Sequence, residues 1–220
     1  MTVRTQRFKS AADYATAEIR HLIMAGDLIP GARLDQEDLA EKLDVSRHPV
    51  RQALERLSER GFVELTPNQS ARVAALSVVD MNEMYDVRQI LEASAVGRSF
   101  PRYGHELVQQ LEGLDAEMTR ALSEKKYDPY MEANRSFHLK MYEDCNNHYL
   151  FRTIVSLFDL SERYQRTSLQ QPGRLTQSSL DHRNMIEAIK RNEKDELIRL
   201  ILNHNALTQE AVRLLLDNQS

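Results

Sequence analysis

Asp44-Val45-Ser46-Arg47-His48-Pro49-Val50-Arg51-Gln52-Ala53-Leu54-Glu55-Arg56-Leu57 is a stretch that admits a tight turn running into a helix, and little else. Ser46 is a residue type that caps a helix, and Pro49 is tolerated only because it falls in the first turn, where amide donors have no intrahelical partner. Val50, Ala53, Leu54 and Leu57 recur at helical spacing and form one apolar stripe. Arg47 and Arg51, four apart, share the opposite face with His48 beside them. Two exposed arginines near a helix N-terminus suit phosphates and the guanine edge in a major groove. An ordinary amphipathic helix with a solvated basic face would look the same, so the neighbouring sequence has to decide.

The 220 residues, 41% hydrophobic and 28% charged, suit one large or two modest globular domains with a real core. No apolar run approaches the roughly 20 residues of a membrane span, and the polar start, Met1 to Ser10, has no secretory apolar core. A single cysteine, Cys145, fits a reducing cytoplasm and reads as a small buried apolar residue. The net charge of −4 gives no general basic footprint, and acids balance bases within residues 1–75, so a nucleic-acid argument rests on local placement.

With only seven glycines, six prolines and little alternation, the chain reads as mainly α. A loose arm carrying Arg4, Arg7 and Lys9 precedes a helix from Ser10 to Ala25, closed by Gly26. Arg33-Leu34 adds a short extended segment. Asp35 caps a second helix to Leu43, and the helix described above runs on to Arg60, closed by Gly61. Phe62 to Thr66 and Ala71 to Ala75 then form a two-stranded hairpin about the turn Pro67-Asn68-Gln69-Ser70. Helix, helix, tight turn, helix and hairpin make a winged helix-turn-helix. Residues 76–80 form a short connector, and 81–220 read as an antiparallel bundle of about six helices, at 80–100, 104–124, 129–145, 148–168, 174–191 and 193–217.

Residues 14–76 resemble the DNA-binding domain of the GntR family of bacterial transcription regulators. The resemblance rests on Gly26-Asp27-Leu28-Ile29-Pro30-Gly31, Asp38-Leu39-Ala40, Val45-Ser46-Arg47, Pro49-Val50-Arg51, Ala53-Leu54, Gly61-Phe62-Val63 and Arg72-Val73. It implies operator contacts from Ser46, Arg47, His48 and Arg51, and from the wing residues Asn68 and Gln69. Asp44 stands where a turn glycine is common, His48 in place of threonine, Glu37 where a basic or neutral residue is commoner, and Ser70 in place of a wing glycine. The bundle resembles the FCD ligand-sensing domain of the FadR subfamily. Here the carrying residues are Tyr85-Asp86-Val87-Arg88, Leu91-Glu92, Asn134-Arg135-Ser136-Phe137-His138, Asn147, Leu150, His182, Ile186, Ala188-Ile189, Asp195 and His204.

His138, His182 and His204 fall in three different helices, and Asn134 lies one turn before His138 on the same face. Three converging imidazoles would suit Zn2+ or another first-row divalent ion; ordinary polar positions on amphipathic helices give the same pattern. The resemblance implies a metal held by Asn134, His138, His182 and His204, with zinc, nickel and manganese as the ions to consider. Arg88 shares a helix face with Glu92, either as an internal ion pair or as a fork for an effector carboxylate, with Tyr85, Arg135 and Arg163 as further pocket candidates. Asp181-His182 reads as a helix residue beside a ligand.

There is no glycine-rich phosphate loop, His-Glu-x-x-His or nucleophile elbow. The expectation is therefore not an enzyme but a cytoplasmic, metabolite-controlled repressor. It would bind a pseudo-palindromic double-stranded operator as a homodimer, with no membrane partner. Two other readings are a metal-dependent all-helical enzyme and a DNA-binding regulator with a metal-free pocket.

Overall fold

The structure, a computed structural model, describes residues 10–66 and 70–217, which fall into two compact units, Met1–Ser77 and Val78–Ser220. In the first unit, α1 (Ala11–Ala25) starts where Ser10 accepts a hydrogen bond from the Asp13 amide and stops at Gly26, which turns left-handed at φ 84. Strand β1 (Arg33–Leu34) precedes α2 (Gln36–Leu43), where the Glu37 and Asp38 amides donate to the Asp35 carboxylate. Those bonds hold the Asp35 carboxyl below its ordinary range. Asp44 then makes the tight turn in the left-handed region at φ 53, a conformation that aspartate tolerates better than most residues.

Helix α3 (Arg47–Glu59) buries Val50, Ala53, Leu54 and Leu57 almost completely against α1, where Ala15 and Ile19 are also fully buried. Each large apolar side chain of this kind stabilises the fold by about 1.5–3 kcal/mol. Arg56 on α3 pairs with Asp13 on α1 at 2.7 Å. Ser46 occupies the cap position but makes no side-chain cap bond, so the start of α3 rests on Pro49 and on burial of its stripe.

Strands β2 (Val63–Thr66) and β3 (Ser70–Val73) form the expected hairpin. The sheet is nonetheless three-stranded, with order β1-β3-β2, because Arg33 and Leu34 pair antiparallel with Arg72 and Ala71. The wing is thus stitched to the α1–α2 connection, a link that Arg72 extends by donating to the Gly31 carbonyl at 3.0 Å. The expected wing contacts Asn68 and Gln69, and the arm residues Arg4, Arg7 and Lys9, lie outside the described residues.

The second unit is all-helical: α4 (Val78–Ser99), a single 3-10 turn (Phe100–Arg102), α5 (His105–Ser123), α6 (Tyr127–Tyr142), α7 (His148–Ser168), α8 (Arg174–Lys190) and α9 (Lys194–Asp217). Helix α4 begins at Val78, so residues 78–80, expected in the connector, are helical. Four successive helix junctions each contain one left-handed residue: Lys125, Asn146, Gly173 and Asn192. Lys125, Asn146 and Asn192 follow the last turns of α5, α6 and α8, as left-handed residues past a helix end do, whereas Gly173 directly precedes α8. Leu111, Phe137, Met141, Ile154, Met185 and Leu197 form the fully buried centre, and Cys145 is buried and unpaired by any disulfide. Helix α9 packs on α4, α7 and α8, so polar residues on those helices meet inside this unit.

Candidate functional site

His138 on α6, His182 on α8 and His204 on α9 converge inside the second unit, at 3%, 1% and 7% exposure. Their ring centroids form a nearly equilateral triangle with sides of 5.2, 5.1 and 5.1 Å. One ring nitrogen from each lies within 4.8 Å of the other two. Helical phase explains the placement of His138: Asn134 and His138 are one turn apart, and both point inward. Phe137 stands 4.6 Å from the His182 ring and Phe158 5.6 Å from the His138 ring, which gives the cluster an apolar wall.

Burial, followed by the other imidazoles and by nearby arginines, holds His138 well below the ordinary histidine range. Burial, His204 and Arg174 do the same for His182. Burial also lowers His204, although its bond to Asp181 pulls the other way. Neutral imidazoles are the form that binds a metal. Nε2 of His138 and Nε2 of His182 are 3.3 Å apart. Zn–N bonds of about 2.0–2.1 Å at tetrahedral angles set two ligand nitrogens about 3.3 Å apart, so the spacing fits a shared ion. Nδ1 of His204 is 2.9 Å from the Asp181 carboxylate, which leaves Nε2 as that ring's lone-pair nitrogen.

His138 and His204 border a cavity that Tyr85, Arg88, Asn134, Gln165 and Arg174 also line. It is narrow, about 20 Å3, room for little more than a water molecule. Asn134 is buried beside the cluster, its amide nitrogen 3.3 Å from Gln165 Oε1, and its amide oxygen is the atom a metal would take. Arg88 reaches the cavity wall, but its guanidinium is committed. Nε and Nη2 bond Glu92 at 2.8 and 2.7 Å, Nη1 donates to Ser161 at 2.7 Å, and the plane is packed between Phe158 and Tyr85. The ion-pair reading of Arg88 and Glu92 is the one the geometry shows.

Two of the four expected effector residues lie elsewhere. Arg135 pairs with Asp159 at 3.0 Å, and Arg163 lies 3.5 Å from Asp80; neither lines the cavity. Their helical phase is the reason. Arg135 is one residue past Asn134, and Arg163 falls between Ser161 and Gln165, the α7 residues bonded to each other on the inward side. Gln165 and Arg174 had no part in the sequence expectations, and Asp181 stood there only as a helix residue beside a ligand. Arg174 carried a visible signal, since a cation as the first residue of a helix opposes the helix dipole.

In the first unit, Ser46, Arg47, His48 and Arg51 are all exposed around the N-terminal turns of α3. Arg51 Nη2 is 3.3 Å from His48 Nδ1, and Arg47 pairs with Glu37 of α2 at 2.6 Å. Two basic side chains and a histidine therefore stand on the solvent face of the helix that follows the tight turn. That is where a helix-turn-helix meets a groove.

The profile of the family described as bacterial regulatory proteins, gntR family, matches residues 11–73, and that of the FCD domain matches residues 83–207. The HTH-type transcriptional repressor RspR of Escherichia coli K12 is 23% identical over 92% of this chain and 87% of its own length. The HTH-type transcriptional repressor GlaR of the same organism is 28% identical over 67% of this chain and 69% of its own. In structure, the E. coli McbR/YncC chain shares the fold with a TM-score of 0.75 at 23% identity, covering 97% of this chain and all of that one. These relatives are named as regulators rather than enzymes. With a gntR-type DNA-binding domain followed by an FCD domain, the chain belongs to the GntR family of bacterial transcription regulators.

Proposed function

We propose that the chain is a metabolite-responsive repressor of the FadR type, with a DNA-binding domain over 1–75 and an effector domain that begins with α4. Two copies would present paired α3 helices to a pseudo-palindromic operator through Ser46, Arg47, His48 and Arg51, with Asn68 and Gln69 on the wing. The repressor sign is drawn from the names of RspR and GlaR. A cytoplasmic setting follows from work on DNA, and no helix among the described residues is long and apolar enough to cross a membrane.

The effector domain would hold a divalent ion, zinc first and nickel or manganese next, on His138, His182 and His204, with the Asn134 oxygen as a fourth ligand. The observation that carries this reading is the convergence of three buried histidines to within 4.8 Å. When bound, the ion supplies a positive centre that draws an anionic oxygen, so the natural effector is a small carboxylate. Asp181 fixes the His204 ring, and Phe137 and Phe158 keep water from the cluster. Control of DNA binding then requires the effector to favour one of two arrangements, since equal affinity for both would shift nothing.

The test is elemental analysis of wild type and His182→Ala purified without added metal or chelator. One ion per chain in wild type and loss in the variant is expected; equal content in both removes the metal from the reading.

A further inference from the structure

We infer that Arg174 is the anion-binding residue of the FCD cavity, donating to the carboxylate of a small organic acid lodged beside the histidine cluster. The inference rests on the reading of that cavity as the effector site. It gives the role expected of Arg88 to a residue that the sequence did not single out.

Arg174 is 6% exposed and lines the cavity together with Asn134, His138 and His204. Only one corner of its guanidinium is satisfied: Nη2 donates to the His204 carbonyl at 3.2 Å and to Thr208 Oγ1 at 2.9 Å. Nε and Nη1 are buried and have no hydrogen-bond acceptor among the described residues. The nearest acid, Asp181, is 3.7 Å from Nη1, beyond hydrogen-bond range, and its oxygens already serve His204 at 2.9 Å and Gln177 at 2.8 Å.

A second cost comes from position. Arg174 opens α8 directly after Gly173, so its charge sits at the positive end of a helix dipole. A buried cation with idle donors, placed where the backbone repels it, is destabilising unless something anionic completes it. Burial is the main influence on Arg174 and holds it below the ordinary arginine value. Arg88, still more deeply buried, is carried above that value by Glu92.

The charges in the cavity also favour an anion. Arg88 is matched by Glu92 at 2.7 Å, whereas Arg174 faces Asp181 only at 3.7 Å, so the unmet positive charge of the cavity lies at Arg174. Tyr130 and Ser178, 3.1 Å apart, line the same cavity and offer hydroxyls to a second oxygen of the ligand. At about 20 Å3 the cavity admits such a ligand only as side chains yield, so the probe should be small.

The experiment uses the full chain, zinc-loaded, with acetate as probe and chloride at matched ionic strength as control. Thermal midpoints are read against acetate concentration, and bound metal is measured on the same samples. Wild type should show a saturable rise with acetate. Arg174→Gln should keep its metal but bind acetate about tenfold or more weakly, the worth of a charge-assisted hydrogen bond. Arg174→Lys, which keeps the charge, should fall between them, and it replaces the glutamine variant if that protein does not fold.

Equal acetate affinity in wild type and Arg174→Gln overturns the assignment. So does indifference of metal-loaded wild type to acetate, and so does an Arg174→Gln protein that sheds metal, which would make Arg174 a support for His204. Absence of metal from wild type would fault the metal reading alone. Acetate protection of that protein would still have to depend on Arg174.

Discussion

The Asp181 carboxylate lies 2.9 Å from Nδ1 of His204, linking α8 to α9 at the edge of the histidine cluster. Asp181 neighbours His182 in sequence, so successive residues of α8 meet two different histidines of the triangle. Burial alone would raise the Asp181 carboxyl, but the bonds from His204 and Gln177 and the charge of Arg174 bring it below the ordinary value. The residue therefore stays ionised and keeps the proton of His204 on Nδ1. Asp181→Asn should lower metal affinity about 10–100-fold while leaving one ion per chain at saturating metal. Competition with a coloured chelator measures this, and an unchanged constant would show that His204 needs no such partner.

Acidification should destabilise the metal-free effector domain. His138 and His182 are held well below the ordinary value of 6.5 in the folded state. The unfolded chain therefore takes up protons at these sites first as pH falls. Stability from these groups is complete above about pH 6.5 and declines below it, until the folded-state values are reached. Urea midpoints of chelator-treated protein should drop between pH 7.5 and about 5.5. The drop should be smaller in His182→Phe, which removes one of the two sites. A flat midpoint across that window would contradict neutral burial.

Glu92 and Arg88 form an ion pair with both partners at 2% exposure or less. Tyr142 and Asn205 take the other Glu92 oxygen at 3.2 and 2.9 Å. Glu92→Gln leaves the Arg88 charge buried without its counterion and should cost about 3–5 kcal/mol in denaturant unfolding. Arg135→Ala, which breaks the half-exposed pair with Asp159, should cost no more than about 1 kcal/mol. Similar losses in the two variants would mean that burial does not set the value of these pairs.

Much of the fold could be read from the sequence because its helices are long, periodic and sharply punctuated. Gly26, Gly61 and Gly173 mark turns by composition, and Asp44 does so by its tolerance of the left-handed region. The pairing of Arg33-Leu34 with β3 was hidden, since a two-residue strand has no period to detect. In the site, residue types could be read but convergence could not: which faces of α6, α8 and α9 meet is decided by packing across 66 residues of chain between His138 and His204. Arg135 and Arg163 fail on helical phase, which one turn of counting against Asn134 and Gln165 exposes. Arg174 is the reverse case, a residue at odds with its local position whose reason lies in the cavity it faces.

The Arg47–Glu37 pair at 2.6 Å gives the last prediction. Both side chains are about two-thirds exposed, so the bond is screened and weak, yet Glu37 places a negative charge where a DNA phosphate would approach Arg47. Glu37→Gln should therefore tighten operator binding about two- to fivefold at low salt, and the gain should shrink as salt rises. Among the described residues Arg51 is held by His48 at 3.3 Å and a long 3.9 Å contact to Glu55, both weak, so it can turn toward DNA at little cost. Arg51→Ala should weaken binding and, if the contact is to phosphate, reduce the slope of log affinity against log salt by about one. A base contact would instead relax sequence preference at one position and leave the slope unchanged. Salt titrations of wild type and both variants on one operator duplex separate these outcomes. Unchanged affinity in Arg51→Ala would remove α3 from the groove.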